Sequence, residues 1–488
     1  MTENRICSRR HLLHTSAFGL SSVASAMLLK QDGLFASESA EPIKPELEQK
    51  TYDLLPKQPE HSAPAQAMIS IFMLGGPSQI DLFDPKPELV KHHGTTFPGD
   101  VKFDNPAQAS REIMKPIWRF RPHGECGMEI SELLPHLGEI ADDITLMRSM
   151  HTGVNNHVPS NYAMNTGDDK SGRAVLGSWL LHELGSETQD LPAFVALTDR
   201  RGMPLMGTEH WTNGKLPSIY QGTLVRPTEP RIFNLQGPPH LRGTVQQNQL
   251  ALLDQFNRQH LMTHPGENDL QARISSYQLA ARMQLAAQDA FDLSQESKAT
   301  QSMYGIDEEL TSDYGTRCLI ARRLVERGVR FIQLFCRGQH WDHHGSILTE
   351  LPARCGEVDK PAAALVRDLK QRGLLDSTIV HWGGEMGRLP LIQFRDGLSK
   401  RSTVGRDHNT YGFSQWVAGG GFKQGHIHGA TDEFSHYAVE GIVHHYDWLT
   451  TVLHQFGLKH QDLRFRVGPR EVRLVENDEA RVVREILA

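Results

Sequence analysis

Six short apolar runs constrain the fold of this chain more than any other feature. The first, Ala67–Leu74, is closed by Gly75-Gly76-Pro77, and similar runs recur at Ile144–Met150, Pro192–Leu197, Val329–Cys336, Ser377–Trp382 and Phe413–Ala418. Runs this short and this apolar read as buried strands. Helical patterns separate several of them. In Glu357–Arg372, Val358, Ala362, Leu365, Val366 and Leu369 recur at helical spacing before Gly373, a stop signal. Strands alternating with helices predict an α/β fold: a largely parallel sheet with helices on both faces. Residues 248–328 depart from the alternation. Ala, Gln, Leu, Arg and Glu dominate there, and the helical pattern breaks once, at His264-Pro265-Gly266. That stretch is expected to be a helical insertion leading into the strand at Val329.

Composition narrows the class. The 488 residues are 39% hydrophobic and 22% charged with a formal charge of −7, which excludes a disordered or coiled-coil chain. The charge is spread without a basic stripe, so no nucleic-acid partner is expected. No apolar run approaches the ~18 residues that a membrane span requires, so no integral membrane segment is expected either. The N-terminus reads as an address. Ser8-Arg9-Arg10-His11-Leu12-Leu13 has the pattern of a twin-arginine signal with an apolar stretch from Ala17 to Leu29 behind it. Residues 1–40 are therefore expected to be a Tat-type signal region, 41–66 a linker or exposed arm, and 67–488 the folded domain. Export by that route, to the periplasm or beyond, suits a protein that loads a metal before leaving. Cys126, Cys318, Cys336 and Cys355 remain after the signal; they are too few for a disulfide framework and lack the CxxC spacing of a zinc-thiolate site.

The chemistry concentrates just after the strands, where open parallel sheets gather ligands. Asp81 and Asp84 follow the first run; His151 and His157 follow the second. His340-Trp341-Asp342-His343-His344 follows Cys336, and Glu385 and Arg388 follow Trp382. Arg406-Asp407-His408 lies ahead of Phe413. Mixed carboxylate and imidazole ligands without thiolate suit Zn²⁺, Mn²⁺ or Fe, with Zn²⁺ or Mn²⁺ foremost, and one or two such ions point to hydrolysis of an anionic ester. Glu385 stands out, because a carboxylate behind a buried strand must find a cation or a donor; an ion pair with Arg388 would also satisfy it. His444-His445 reads as the start of a helix through Leu453, and His426 and His428 alternate along an apparent hairpin.

These segments carry a resemblance. Leu74–Pro87, Tyr162–Gly167, Trp341-Asp342-His343-His344, Trp382–Arg388 and Gly405-Arg406-Asp407-His408 resemble the secreted proteins of "domain of unknown function 1501", a branch of the alkaline-phosphatase/sulfatase superfamily. The likeness covers nearly all of the chain after about residue 65. It implies a three-layer α/β/α fold with metal ligands on the loops after the strands. By position it implies Asp81 as first ligand (Asp84 as alternative), Asp342 and His344 as a later pair, Glu385 where an Asp-His pair usually stands, and His408 as the final ligand, with Asp407 beside it. Asp81, Asp342, His344, Glu385 and His408 are thus expected in one cleft. Tyr446–Leu453 is similar to a closing sulfatase helix without its Pro.

The nucleophile departs from that pattern. Where the family's sulfatases have Cys-x-Pro-Ser-Arg, this chain has His157-Val158-Pro159-Ser160-Asn161, so a formylglycine cannot form. Three roles are open to His157: metal ligand, nucleophile forming a phospho-His, or remnant; Ser160 and Thr152 are reserve nucleophiles. The expected function is a metal-dependent hydrolase of phosphate or related anionic esters, small or polymer-borne, with His157 in the catalytic centre and Arg388 or Arg406 stabilising anionic charge. The alternative is a non-catalytic exported binding protein that keeps the fold; no haem or flavin motif supports a redox partner. Changing both Arg9 and Arg10 to Lys should leave unprocessed precursor inside the cell, as read by fractionation and immunoblot. Normal export of that double variant would show the motif to be coincidental.

Overall fold

A computed structural model describes residues 52–488 apart from 234, 236–239, 241–242, 265–267 and 399–402. The twin-arginine segment and the first part of the arm lie outside the described residues. All described residues but His264 belong to one compact unit.

The six apolar runs all form strands of one central sheet. Its nine strands are β1 (Ala67–Phe72), β2 (Ile144–His151), β3 (Phe194–Leu197), β4 (Thr223–Val225), β5 (Phe331–Phe335), β6 (Thr378–Gly383), β7 (Phe413–Ala418), β8 (His426–His428) and β9 (Val443–His444). Their order is β8-β2-β7-β6-β1-β5-β3-β4, with β9 also on β2. All pairings are parallel except those of β7, which runs antiparallel to β2 and β6. The fold is therefore α/β with a mostly parallel central sheet. His426 and His428 lie on a parallel edge strand, paired with Thr145 and Met147, and not on a hairpin.

Seven helices of nine or more residues occur among the described residues: α1 (His157–Thr166), α2 (Leu176–Leu184), α3 (Thr244–Thr263), α4 (Asn268–Phe291), α5 (Ser312–Val325), α6 (Ile347–Gln371) and α7 (His445–Gln455). Side chains alternate across a strand, so Ser70, Gln333 and His381, cross-strand neighbours in register, share one face. That face meets α1 and α7: Gln333 donates to Asn165 at 2.8 Å, and the His381 ring lies 4.9 Å from Trp448. Helices α5 and α6 pack on each other and form the other layer. Helix α6 begins ten residues before the segment read from sequence and carries Pro352 and Pro361 within it. Helices α3 and α4 occupy the stretch read as an insertion; α3 buries no side chain, while α4 buries Ala272, Ile274, Met283 and Phe291. Residues 52–66 run without helix or strand but are not free. Tyr52 and Leu54 are buried, and the Lys57, Glu60 and Ala65 amides donate to the carbonyls of Leu184, Gly457 and Gln455.

Register decides where the loops emerge. Phe72 lies opposite both Phe335 of β5 and Gly383 of β6, so three loops leave the sheet level with one another. They are stitched together at once: Met73 N–H donates to Gly383 O at 2.8 Å and Trp341 N–H to Leu74 O at 3.0 Å. Because β7 is antiparallel, the residues entering it arrive at this same end, which brings His408 beside loops that leave their strands. Gly75 makes the closest approach. Its φ is +112°, and a Cβ there would stand 2.5 Å from the Asp342 amide nitrogen and 2.8 Å from Gln339 O. Gly94, with φ +80°, has nothing within 4 Å of such a Cβ. Gly94→Ala should therefore lose only the backbone term of about 1 kcal/mol, and Gly75→Ala should lose at least ~1 kcal/mol more in urea unfolding. Equal losses would show that the loops are not packed this tightly.

Candidate metal centre

Four side chains converge at this end of the sheet: His157, Asp342, His344 and His408, each offering one ligand atom, all within 4.8 Å of one another. His157 opens α1 behind the N-cap Asn156, whose side chain accepts from Val158 N–H. Asp342 and His344 ride the loop after β5, and His408 sits in a two-residue ribbon with Arg388 just ahead of β7.

The hydrogen bonds fix which nitrogen of each ring faces inward. His157 Nδ1 lies 2.6 Å from Glu385 Oε1, a buried carboxylate oxygen that also accepts from Gly75 N–H at 2.9 Å. His344 Nδ1 lies 2.6 Å from the Gln393 amide oxygen. Both acceptors require Nδ1 to carry the hydrogen, so in the neutral rings each Nε2 presents a lone pair. Those lone pairs meet other electron pairs. Asp342 Oδ1 lies 2.9 Å from His344 Nε2, 3.3 Å from His157 Nε2 and 3.5 Å from His408 Nε2, and the His344 and His408 Nε2 atoms are 2.9 Å apart. His157 Nε2 is buried with no hydrogen-bond partner. Ligands ~2.1 Å from a tetrahedral ion stand ~3.4 Å from one another. The observed separations bracket that value, and the donor set of three imidazoles and one carboxylate suits a Zn²⁺-type ion; the residues fit a divalent cation.

Without a cation a proton must serve. Burial opposes charge on His157, but the neighbouring carboxylates of Asp342 and Glu385 outweigh it and raise the imidazole to about 9. Burial likewise pushes Asp342 up, and Arg388 with the three imidazoles overrides it, holding the carboxylate well below its ordinary range. His408 is pushed down to about 3, chiefly by burial, and stays neutral.

The other expected site residues are placed differently. Asp81 is turned away: its carboxylate is buried in an ion pair with Arg406 at 2.8 Å and also accepts from Ser78 Oγ and Ile117 N–H. It does not join the cluster, because a guanidinium already neutralises it. Asp84 is likewise engaged, by Lys86, Thr431 and Ser435. Glu385 stands behind His157 and not among the inward-facing atoms, and it makes no ion pair with Arg388. Arg388, expected to face substrate, is buried and spent on the protein: it donates to the carbonyls of Gly75, Gly76, Trp341 and Arg406 and to Asp342 Oδ1 at 2.7 Å. It is a positioning residue for Asp342. Arg406 is similarly consumed by Asp81, Met114, Lys115 and Leu389. Asp407 belongs to a second group with Asp104, His344 and His408. Its oxygens, however, accept from the amides of His408, Asp104 and Asn105, so this set is the poorer ligand shell. Asp104 and Gln393 escaped sequence reading, since neither lies in a loop that follows a recognisable strand. Ser160 donates to Glu385 O and is fully buried, as Thr152 nearly is.

Comparison with known proteins assigns the family. The family described as "Protein of unknown function (DUF1501)" matches residues 65–487, and the chain belongs to it. Among solved structures it is similar to the lipoteichoic acid synthase LtaP from Listeria monocytogenes, at 10% identity over 86% of this chain and 76% of that one, with a TM-score of 0.36. It is also similar to the PsFucS1 sulfatase from Pseudoalteromonas sp. (12% identity, 82% and 68% covered, TM-score 0.34). A protein in the alkaline phosphatase superfamily from Vibrio parahaemolyticus is a third (10% identity, 90% and 75% covered, TM-score 0.33). No curated protein matches the chain.

The His157 charge gives a pH test on metal-stripped protein. Its folded value near 9 exceeds the ordinary 6.5, so its stabilising effect is complete below about 6.5 and is lost as pH rises through 9. The span corresponds to about 3 kcal/mol at most. His157→Gln should therefore destabilise the stripped protein far more at pH 6 than at pH 10 in denaturant titrations. A pH-independent difference would place the proton elsewhere.

Proposed function

We propose that this member of the DUF1501 family is a metal-dependent hydrolase of phosphate or related anionic esters, exported to the periplasm or beyond, with Zn²⁺ or Mn²⁺ as its ion. One observation carries the reading: three imidazoles and a carboxylate bring one ligand atom each to within 4.8 Å of one another, with His157 Nε2 making no hydrogen bond. Clustering such atoms without a cation is costly. His157, Asp342, His344 and His408 would hold the ion. When bound, it would supply Lewis-acid polarisation of an ester oxygen and neutralise charge developing there.

The chain's own residues set the geometry. Glu385 holds His157 in the Nδ1–H form and increases its basicity, as carboxylates behind metal-bound histidines do. Gln393 does the same for His344, and Arg388 fixes Asp342 against four loop carbonyls. Ser160 and Thr152 are buried, and the nearby Cys336 is buried with its thiol pushed up to about 12 by that burial, so water would be the attacking group. With Arg388 and Arg406 both spent on protein acceptors, no arginine of this set is left for the transition state. That same observation favours the second reading, a metal-binding protein without turnover.

The readings separate on Glu385→Gln. The hydrolase should lose about 10-fold or more in metal affinity or in kcat/KM on arylphosphate or phosphodiester substrates, with little change in fold. A structural site should show lower stability and no activity to lose. If wild-type protein, replete with Zn²⁺ or Mn²⁺ by elemental analysis, hydrolyses no phosphate mono- or diester above background, the hydrolase reading fails and the binding reading stands.

A further inference from the structure

A second concave site lies at the other end of α7. That helix starts beside the metal-centre end of the sheet, where His444 pairs with His151, and runs 11 residues, about 16 Å at 1.5 Å per residue. Its last turn therefore sits toward the amino ends of the strands. Three segments distant in sequence meet there. The arm before β1 is pinned by Glu60 and His61 amides donating to Gly457 O, the loop 458–461 follows the helix, and the C-terminal segment is tied by Val483 N–H to Thr451 Oγ1 at 2.9 Å.

Together they line a groove of about 500 Å³ whose walls hold Lys459, Arg481 and Arg484, the imidazoles of His61, His454 and His460, and no carboxylate. Arg484 makes no ion pair or side-chain hydrogen bond among the described residues, whereas Arg481 pairs with Glu485 and Lys459 with Glu60 from outside the lining. Two buried polar atoms of the lining also lack partners. Thr450 Oγ1 and His460 Nε2 make no hydrogen bond, though their residues are only 2% and 5% exposed. The carbonyls at the end of α7 do not offset this positive character in full, since Phe456, Gly457 and Leu458 amides already cap them. Burial, then the neighbouring His61 and Arg484, holds the His454 imidazole below its ordinary range, as a locally positive surrounding does.

A recess lined by three cations and no carboxylate, with Arg484 unpaired among the described residues, calls for an anionic ligand that only accepts hydrogen bonds. We infer that this groove binds a tetrahedral oxyanion of the phosphate or sulfate type, free or pendant on a polymer, at a site separate from the metal centre. It does not depend on the hydrolase reading, because neither turnover nor the metal ligands enter into it. An oxyanion here would accept from Arg484 and Lys459.

The test is calorimetric titration of the full chain with inorganic phosphate, inorganic sulfate and dextran sulfate at physiological salt. Arg484→Ala/Lys459→Ala removes two cations of the groove. Lys91→Ala/Arg258→Ala removes two exposed cations on other elements and controls for general charge. Saturable phosphate or sulfate binding that the groove variant weakens at least 10-fold, and the control by less than 3-fold, supports a free oxyanion as ligand. The same pattern with dextran sulfate alone supports a polymer-borne one. The inference is overturned if wild type binds none of the three saturably, or if the groove variant binds as the control does. Melting temperatures of both variants, and their phosphate-ester hydrolysis if wild type shows any, should match wild type and so exclude misfolding as the cause.

Discussion

The site depends on one buried carboxylate. Glu385 Oε1 accepts from Gly75 N–H, on the loop after β1, and from His157 Nδ1, at the head of α1, while its own backbone leaves β6. Three segments far apart in sequence are thereby held through a single oxygen, and the bond to His157 also settles which ring nitrogen looks inward. A carboxylate with no exposure needs charge or donors to be tolerable. Here it has one amide and one imidazole, and its second oxygen has no partner. The imidazolium form of His157 relieves that deficit in the stripped protein, and a cation drawing on the same ring would relieve it equally. A proton and a metal would thus compete for one arrangement of atoms.

Two arginines show how narrowly the alternatives are separated. Arg388 and Arg406 sit in a similar loop environment, both wholly buried, both surrounded by backbone carbonyls. One is pointed at Asp342 and the other at Asp81. The Asp81 pair is complete in itself: both oxygens are taken by the guanidinium, a hydroxyl and an amide. Asp342 is different, because its Oδ1 receives Arg388 on one side and faces three imidazole nitrogens on the other. Its charge is only partly answered by protein, and that remainder makes it a candidate ligand where Asp81 is a strut.

The strands and the end of the sheet at which the candidate ligands gather were legible, because short apolar runs and the loops behind them are local signals. Asp342, His344 and His408 were legible for the same reason, each lying next to a strand end. The division of labour among the remaining charged residues was not. Whether Asp81, Asp407 or Asp104 faces a metal depends on which guanidinium or amide reaches it first, and those partners lie hundreds of positions away for Asp81 and Asp407. Arg388 misled in the same manner: a cation in a site loop reads as a substrate contact until its carbonyl partners are seen. The first ten residues of α6 contain Pro352, and a proline in an apolar pattern normally ends a helix, whereas Pro361 lies inside the stretch that reads as helical.

The polar layer beneath the site explains why His157 can be held so closely by so few contacts. Asn161 donates to His157 O, Asn165 donates to Asn161 O, and Gln333 of β5 donates to Asn165 Oδ1. On the same face Ser70 lies 3.2 Å from His381, which meets Gln415 at 3.1 Å, and Gln415 donates to Gly384 O just ahead of Glu385. These groups occupy buried helix and sheet positions where an apolar residue would pack as well and leave nothing to satisfy. Their hydrogen bonds instead tie α1 to β5 and the Glu385 loop to β7 by direction as well as by contact. Apolar packing alone tolerates small slides of a helix over a sheet, whereas a bond with a fixed acceptor does not. The Nε2 of His157 and the Oδ1 of Asp342 come from opposite sides of β1, and a shift of an ångström would part them. A row of amides through the sheet is what keeps that separation at ligand distance.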